Sequence, residues 1–172
     1  MAKAITAVAL LLLGVFAFWL GTVLRPQPEF PTGPPSGQRI GRAVVFDRQG
    51  TAFIVDDLVR SETPTTLIAF SLGCQSCVAE IDVWVSLSRL SGNQFVGLLN
   101  VSDRETLQEV ERLVHGAFPL FLMDAQGRSA LGIRQYPTIV QLDPNGTVRK
   151  VWIGESATDS LRSSETERDL GQ

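Results

Sequence analysis

The chain contains two cysteines, and their spacing is its most informative chemical feature. Cys74 and Cys77 form a C-x-x-C. An apolar run, residues 65–70, precedes them, and an apolar-periodic stretch, residues 78–90, follows. The pattern predicts a strand, a short turn and a helix that starts at the cysteines. This setting is typical of a thiol pair that carries out redox chemistry.

The predicted position of the cysteines at the start of a helix favours the thiolate form. Unpaired backbone N–H groups and the positive end of the helix dipole both lie there. The thiolate is the reactive form of cysteine. We therefore expect Cys74, in the turn, to be the exposed nucleophile. We expect Cys77, one turn into the helix, to be more buried and to resolve the mixed disulfide.

Two other interpretations of the cysteine pair are weaker. A structural zinc site usually needs four ligands, and besides the cysteines the chain has one histidine, His115. We interpret His115 as a residue at a helix end, where a cationic side chain suits the dipole. A purely structural disulfide across so short a loop would restrict the unfolded chain little.

The N-terminal residues 1–25 predict a membrane anchor. Residues 4–24 carry no charge, and a helix of that length spans about 31 Å, close to the ~30 Å hydrocarbon core. The run is longer than the apolar region of a signal peptide and lacks a small-residue cleavage site. Lys3 and Arg25 nearly balance each other, so the flanking charges set no orientation. The thiol pair favours a domain outside the cytoplasm.

The rest of the chain divides by composition into a linker, one domain and a tail. Residues 26–41 are rich in proline and glycine and predict an extended spacer. Residues 42–154 form the predicted domain, and residues 155–172 are a polar tail with a short final helix near 158–167. The net charge of −3 at pH 7 argues against a nucleic-acid partner, which would need a basic face.

Periodicity and turn residues predict the elements of the domain. In chain order these are a β-hairpin over residues 43–55, a buried strand over 65–70, the helix after Cys77, a strand over 95–101, a helix after the capping box of Ser102 and Glu105, an extended segment over 118–123, a turn over 124–127, a short helix over 129–133, and a second hairpin over 138–153 that turns at Asn145-Gly146.

Three motifs in this order resemble the TlpA/ResA-type branch of the thioredoxin-like (redoxin) proteins, over residues 41–154. The cysteine pair followed by Glu80 is similar to the branch's C-x-x-C-x-x-E. Tyr136-Pro137-Thr138 is similar to the family's proline opposite the thiols. Residues 143–148 are similar to its D-x-x-G-x-V hairpin. The resemblance implies an α/β thioredoxin-like fold, a central mixed β-sheet flanked by helices, with an extra N-terminal β-hairpin and a preceding transmembrane helix.

The resemblance also implies roles for individual residues. The bond before Pro137 is expected to be cis, and an extended substrate segment is expected to pair beside it. Tyr136 and Gly73 would then contact the substrate, although the family often has tryptophan in place of Gly73. The strand over residues 65–70 lacks the buried carboxylate of thioredoxin, so Glu80 is the candidate for proton transfer to or from Cys77.

The resulting hypothesis is a single-pass membrane protein with an extracytoplasmic, periplasmic thiol–disulfide oxidoreductase domain. Its expected partners are a disulfide-containing protein substrate, as in cytochrome c maturation, and a membrane electron donor. The redox-active disulfide Cys74–Cys77 is its only expected cofactor, with no metal. One alternative is a Cu(I)-binding metallochaperone or assembly module. Another is a peroxiredoxin-like peroxidase, since Ser71 and Cys74 match part of that site, although Leu67 stands where the peroxidases have proline.

Overall fold

The computed structural model describes Gly14 and residues 33–59, 62–100, 104–154 and 157–170, with side chains described as far as residue 163 except at Arg104. In this described part of the chain, no helix is both long enough and apolar enough to cross a membrane. The predicted anchor, residues 4–24, lies outside it apart from Gly14, and so does Ser102 of the predicted capping box. Both stay predictions.

The domain is built on one mixed β-sheet, as the family resemblance implies. The described strands run in the spatial order β2-β1-β5-β4-β3-β6-β7, and β3, β4 and β5 are parallel to one another while the other pairings are antiparallel. The strands are β1 (Val44–Phe46), β2 (Ala52–Ile54), β3 (Thr65–Phe70), β4 (Gln94–Leu99), β5 (Leu120–Leu122), β6 (Thr138–Leu142) and β7 (Val148–Ile153). The predicted N-terminal hairpin is β1–β2, and it joins the sheet beside β5.

Helices follow most of the strands. They are α1 (Val55–Leu58), α2 (Gln75–Leu90), α3 (Arg104–Val114), α4 (Ala125–Ala130) and α5 (Ala157–Leu170). The prediction was wrong at α4, because it placed a turn over residues 124–127 and a helix over 129–133. The Asp124 carboxylate accepts the Gly127 N–H at 2.7 Å, so Asp124 caps a helix that starts directly after it.

The central strand β3 is buried along its whole length because apolar layers cover both faces of the sheet. Ile68 and Phe70 belong to the core layer that contains α2, and Leu67 and Ala69 belong to the opposite layer. Successive side chains of a strand point to opposite faces, which explains this alternation. The core therefore fixes β3 firmly, together with the loop that follows it.

Trp84 fixes α2 against the sheet. Its ring packs edge-on against Phe70, with the ring centroids 5.4 Å apart. Its buried Nε1–H donates to the Thr158 hydroxyl of α5 at 2.7 Å. The side chain thus combines apolar packing with a satisfied polar group, and it holds α2 in place about two turns after Cys77 on the same helix.

Part of the predicted linker belongs to the domain. Gly37 N–H donates to the Val148 carbonyl at 2.7 Å, and Val148 N–H donates to the Gln38 carbonyl at 2.7 Å. Ile40 is 3% exposed. Arg39 pairs with the largely buried Asp56 at 2.8 Å. The domain therefore begins before residue 42, and these residues cover the outer edge of β7.

This packing makes a prediction about Ile40. Ile40→Ala should lower the free energy of unfolding by about 2–5 kcal/mol, because it removes a buried aliphatic side chain and leaves a cavity. Gln38→Ala is the matched control, since the Gln38 side chain is exposed. Urea unfolding of both variants measures the difference, and equal stability of the two would contradict the docking of this segment.

Candidate redox site

The cysteine pair lies where the central strand passes into α2. Ser71 holds the turn between β3 and α2. Its carbonyl accepts the Cys74 N–H at 3.1 Å, and its hydroxyl accepts the Gly73 N–H at 3.2 Å. Cys74 and Cys77 are joined by a disulfide, with 5.2 Å between their Cα atoms. A firmly packed strand and a firmly packed helix thus meet at the sulfur atoms.

The two sulfurs differ in environment as the sequence predicts. Cys74 is the N-cap of α2 and is half-buried. Cys77 is 0% exposed and is part of the core layer beneath the helix. An incoming thiol or disulfide therefore has access to Cys74 and not to Cys77.

Two hydrogen-bond donors converge on the Cys74 sulfur. The Cys77 backbone N–H donates to Sγ at 3.2 Å, and the Ser76 hydroxyl lies 3.3 Å from the same atom. The backbone donor follows from the N-cap position of Cys74, and the sequence predicts unpaired backbone N–H groups at this helix start. The sequence indicates that the Gln75-Ser76 dipeptide tunes the stability of the thiolate, but it does not predict the contact between the Ser76 hydroxyl and the sulfur. The signal that could have found this contact is a hydroxyl residue in the first turn of the helix, two residues after the nucleophile.

The Tyr136-Pro137 segment lies at the same end of the sheet as the cysteines. Thr138 is the register partner of Ala69, so Pro137 stands beside the end of β3, just before the loop to Cys74. The Tyr136–Pro137 peptide bond is cis, which confirms the expectation from the family resemblance. Tyr136 and Cys74 pack against the same core layer. The structure thus brings these predicted site residues together, and their role in binding substrate stays a prediction.

The hydroxyl of Tyr136 is buried beside an arginine. Burial raises the pKa of Tyr136 above its ordinary value, and the nearby Arg128 guanidinium acts in the opposite direction without cancelling this effect. The two groups do not meet the full geometry of a hydrogen bond. The phenol therefore stays neutral across the physiological range.

The other two predicted site residues are placed close in sequence to the disulfide. Glu80 is half-buried on α2, one turn after Cys77, and its Oε2 atom is buried. Gly73 is exposed, and a Cβ atom there would meet only the Ser71 hydroxyl within 4 Å, at 3.7 Å. The position therefore accepts a Cβ atom without a clash. Proton transfer by Glu80 and substrate contact by Gly73 stay predictions.

His115 lies far from the cysteines. It is exposed and follows the last residue of α3, with φ 49°, just before β5. The parallel strands β3 and β5 place their starts at one edge of the sheet, whereas Cys74 follows the end of β3 at the other edge. Six residues of strand separate these edges by roughly 20 Å. In the described residues, no cluster of three or more His, Cys, Asp and Glu side chains could hold a metal ion.

Comparisons with known proteins give matches among solved structures. No family model and no curated protein matches the chain. A thiol:disulfide interchange protein from Bacteroides sp. matches with a TM-score of 0.61 at 14% identity, over 76% of this chain and 90% of that one. DsbF from MTB gives a TM-score of 0.57 at 21% identity, over 78% of this chain and 98% of that one. A DsbF homologue from Corynebacterium diphtheriae gives a TM-score of 0.60 at 16% identity, over 81% of this chain and 94% of that one.

The fold and the site together define a thioredoxin-like protein with a C-x-x-C disulfide at the start of the helix after its central strand. The matched structures cover the domain and share its architecture at identities of 14–21%. Among them, the thiol:disulfide interchange proteins and the DsbF proteins are the kinds of protein that this chain is similar to.

Tyr136 is the only tyrosine in the chain, so its titration can be followed directly. In the oxidised native protein, the tyrosinate absorbance should appear at higher pH than in the urea-unfolded chain, because burial disfavours the charged form. Stability should then fall as the pH rises through the unfolded pKa of the tyrosine, since the unfolded state loses that proton first.

Arg128→Ala should raise the pKa of Tyr136 further, because it removes the positive charge that favours the phenolate. Arg149→Ala, an exposed arginine on β7, is the control and should leave the titration unchanged. A native tyrosine that titrates at or below its unfolded pKa would contradict this description of its environment.

Proposed function

We propose that this protein is a membrane-tethered, extracytoplasmic thiol–disulfide oxidoreductase that reduces protein disulfides through Cys74 and Cys77. The observation that carries the proposal is the asymmetry of the pair. Cys74 caps α2 and can be reached, whereas Cys77 is completely buried beside it. An attacking thiol and a protected resolving thiol within one helical turn are what disulfide exchange requires.

The proposed reaction starts from the reduced pair. The Cys74 thiolate attacks one sulfur of a substrate disulfide, the substrate S–S bond breaks, and one substrate thiolate leaves. The Cys77 thiolate then attacks Cys74 Sγ, and the mixed disulfide breaks to release the second substrate thiolate. Two electrons have passed to the substrate, and the protein has gained the Cys74–Cys77 disulfide that the structure contains. A membrane dithiol donor would reduce it again.

The geometry around Pro137 supports a protein substrate. The start of β6 and the residues before it lie beside the end of β3, just before the loop to Cys74, where an extended substrate segment could pair with backbone groups. Tyr136 and Gly73 would contact the residues that flank the substrate cysteine, and Glu80 would exchange the proton of Cys77. The open surface at Gly73 suits a bulky client better than a tryptophan lid would.

The reductive direction and the membrane location rest on the sequence. The TlpA/ResA-type motifs favour a reductase, with cytochrome c maturation as one process that needs such an activity. The uncharged run over residues 4–24 supports a single-pass anchor with the domain on the periplasmic side. The matched structures include an exposed lipoprotein thioredoxin from Streptococcus pneumoniae, at 16% identity and with a TM-score of 0.57.

No observation favours the two alternative functions. A Cu(I) site built on the cysteine pair would have no support from His115, which lies at the opposite edge of the sheet. A peroxiredoxin-like site would need a proline at position 67. Leu67 is instead 2% exposed and packs in the core layer that faces away from α2.

Substitution of each cysteine in the full chain tests the proposal. In detergent, Cys74→Ser should lose the reduction of a protein disulfide, because the accessible sulfur is gone. Cys77→Ser should instead accumulate a mixed disulfide with the substrate through Cys74, since nothing resolves it. Non-reducing electrophoresis and turnover assays measure both effects. Full reductase activity in Cys74→Ser, or a trapped mixed disulfide in that variant, would contradict the proposed roles.

A further inference from the structure

A pocket of about 410 Å³ opens beside α4, and we call it the arginine pocket. Two of the described residues that line it are arginines, one is a serine and none is acidic. The described lining residues are Ala125, Arg128, Ser129, Gly132, Ile133 and Arg134. The volume falls within the roughly 300–1,000 Å³ of small-ligand pockets. The steps of disulfide exchange give this pocket no role.

The arginine pocket lies at the end of the sheet that carries the cysteines. Gly132, in its wall, meets Gly33 so closely that a Cβ atom at Gly132 would lie 3.3 Å from the Gly33 carbonyl oxygen. A Cβ atom at Gly33 would in turn lie 3.9 Å from the Thr138 side chain. Thr138 is the register partner of Ala69, directly before the last residue of β3. The pocket is therefore at the same end of the sheet as the loop to Cys74.

Tyr136 connects the arginine pocket with the cysteine site. It packs against the core layer beneath α2 and also against the opposite layer, which contains Ile133 of the pocket wall. Arg128, another lining residue, lies beside its hydroxyl. An extended substrate segment that pairs beside Pro137 would pass Tyr136 on its way from the nucleophile to the pocket. At about 3.3 Å per residue, a side chain two to four residues from the substrate cysteine could reach roughly 7–13 Å along this path and enter the pocket.

The charge of the arginine pocket is positive. An arginine side chain stays protonated in proteins. Within the described residues, no carboxylate forms an ion pair with Arg128, and its neighbour Tyr136 is a neutral phenol that does not cancel the charge. Arg134 brings a second guanidinium to the wall. A guanidinium can hold a carboxylate through two parallel N–H bonds, so the pocket suits an acidic side chain.

We propose that the arginine pocket binds a glutamate or aspartate side chain of the protein substrate, two to four residues from the cysteine that Cys74 attacks. This inference rests on the proposed oxidoreductase function and adds a substrate class to it. Arg128 and Arg134 are then specificity residues, remote from the sulfur atoms. Their contact with the carboxylate is the same before and during exchange, so it should tighten substrate binding and leave the maximal rate of exchange unchanged.

The test follows single turnovers of the reduced full chain in detergent with pairs of peptides. Each peptide has one cysteine in a disulfide with a fluorescent thiol. One member of a pair carries a glutamate at a chosen position on either side of the cysteine, and the other carries glutamine there. At a position two to four residues away, the glutamate peptide should half-saturate wild type at a concentration about three- to fivefold lower, as expected for one partly exposed ion pair. Added salt should reduce this preference.

Three variants show whether the pocket is the cause. Arg128→Gln should bring the ratio between the two peptides close to one, and Arg134→Gln should reduce it. Arg149→Gln is the matched control, because it makes the same change in net charge at an exposed position of β7 near the opposite end of the sheet, and it should keep the wild-type ratio. Each ratio compares two peptides within one variant, so a general change in the reactivity of Cys74 cancels.

The outcomes distinguish this inference from the proposed function. Equal binding of both peptides by wild type at every position would overturn the inference and leave the oxidoreductase in place. A preference that persists in Arg128→Gln, or that Arg149→Gln removes equally, would also overturn it. If inorganic phosphate binds through Arg128 while no glutamate peptide is preferred, the pocket takes free anions and not the substrate. If wild type reduces none of the peptides, the proposed function itself fails.

Discussion

The burial of Cys77 at the start of α2 is the constraint on which the rest of the site depends. Cys77 is 0% exposed because α2 packs against the end of β3, where Trp84 meets Phe70 and reaches Thr158 on α5. With Cys77 held in the core, the cap residue Cys74 is the sulfur that faces the solvent. Any change that loosened α2 would expose Cys77 and so reduce the difference in accessibility between the nucleophile and the resolving cysteine.

The same packing assembles the donors that act on the exposed sulfur. The first turn of a helix leaves backbone N–H groups without helical partners, and one of them is satisfied by Cys74 Sγ. The Ser76 hydroxyl adds a second donor from the same turn. The antiparallel pairing of β6 with β3 brings Pro137 to the end of the sheet where the cysteines lie, although Pro137 is far from them in the sequence. The start of α2 and the register between β3 and β6 thus together position the residues of the site.

Much of this arrangement could be predicted from the sequence because its signals are local. β3 has the predicted bounds, since a mainly apolar run between turn residues specifies a buried strand, and β6 starts where the predicted second hairpin starts. The prediction failed where one local pattern fits two structures. Asp124 followed by Gly127 suits either a turn or a capped helix, and the packing of Gly127 close to the Val44 carbonyl is visible only in the fold. Likewise, proline and glycine predict an extended segment at 33–40, but not that β7 would offer it hydrogen bonds.

The reduction potential of the Cys74–Cys77 pair, measured on the full chain in detergent against glutathione and dithiothreitol buffers, tests the central claim most directly. A reductase that passes electrons to protein disulfides should have a potential near or below that of thioredoxin, about −270 mV. A potential near that of DsbA, about −120 mV, would contradict the account, because the pair would then take electrons from protein thiols.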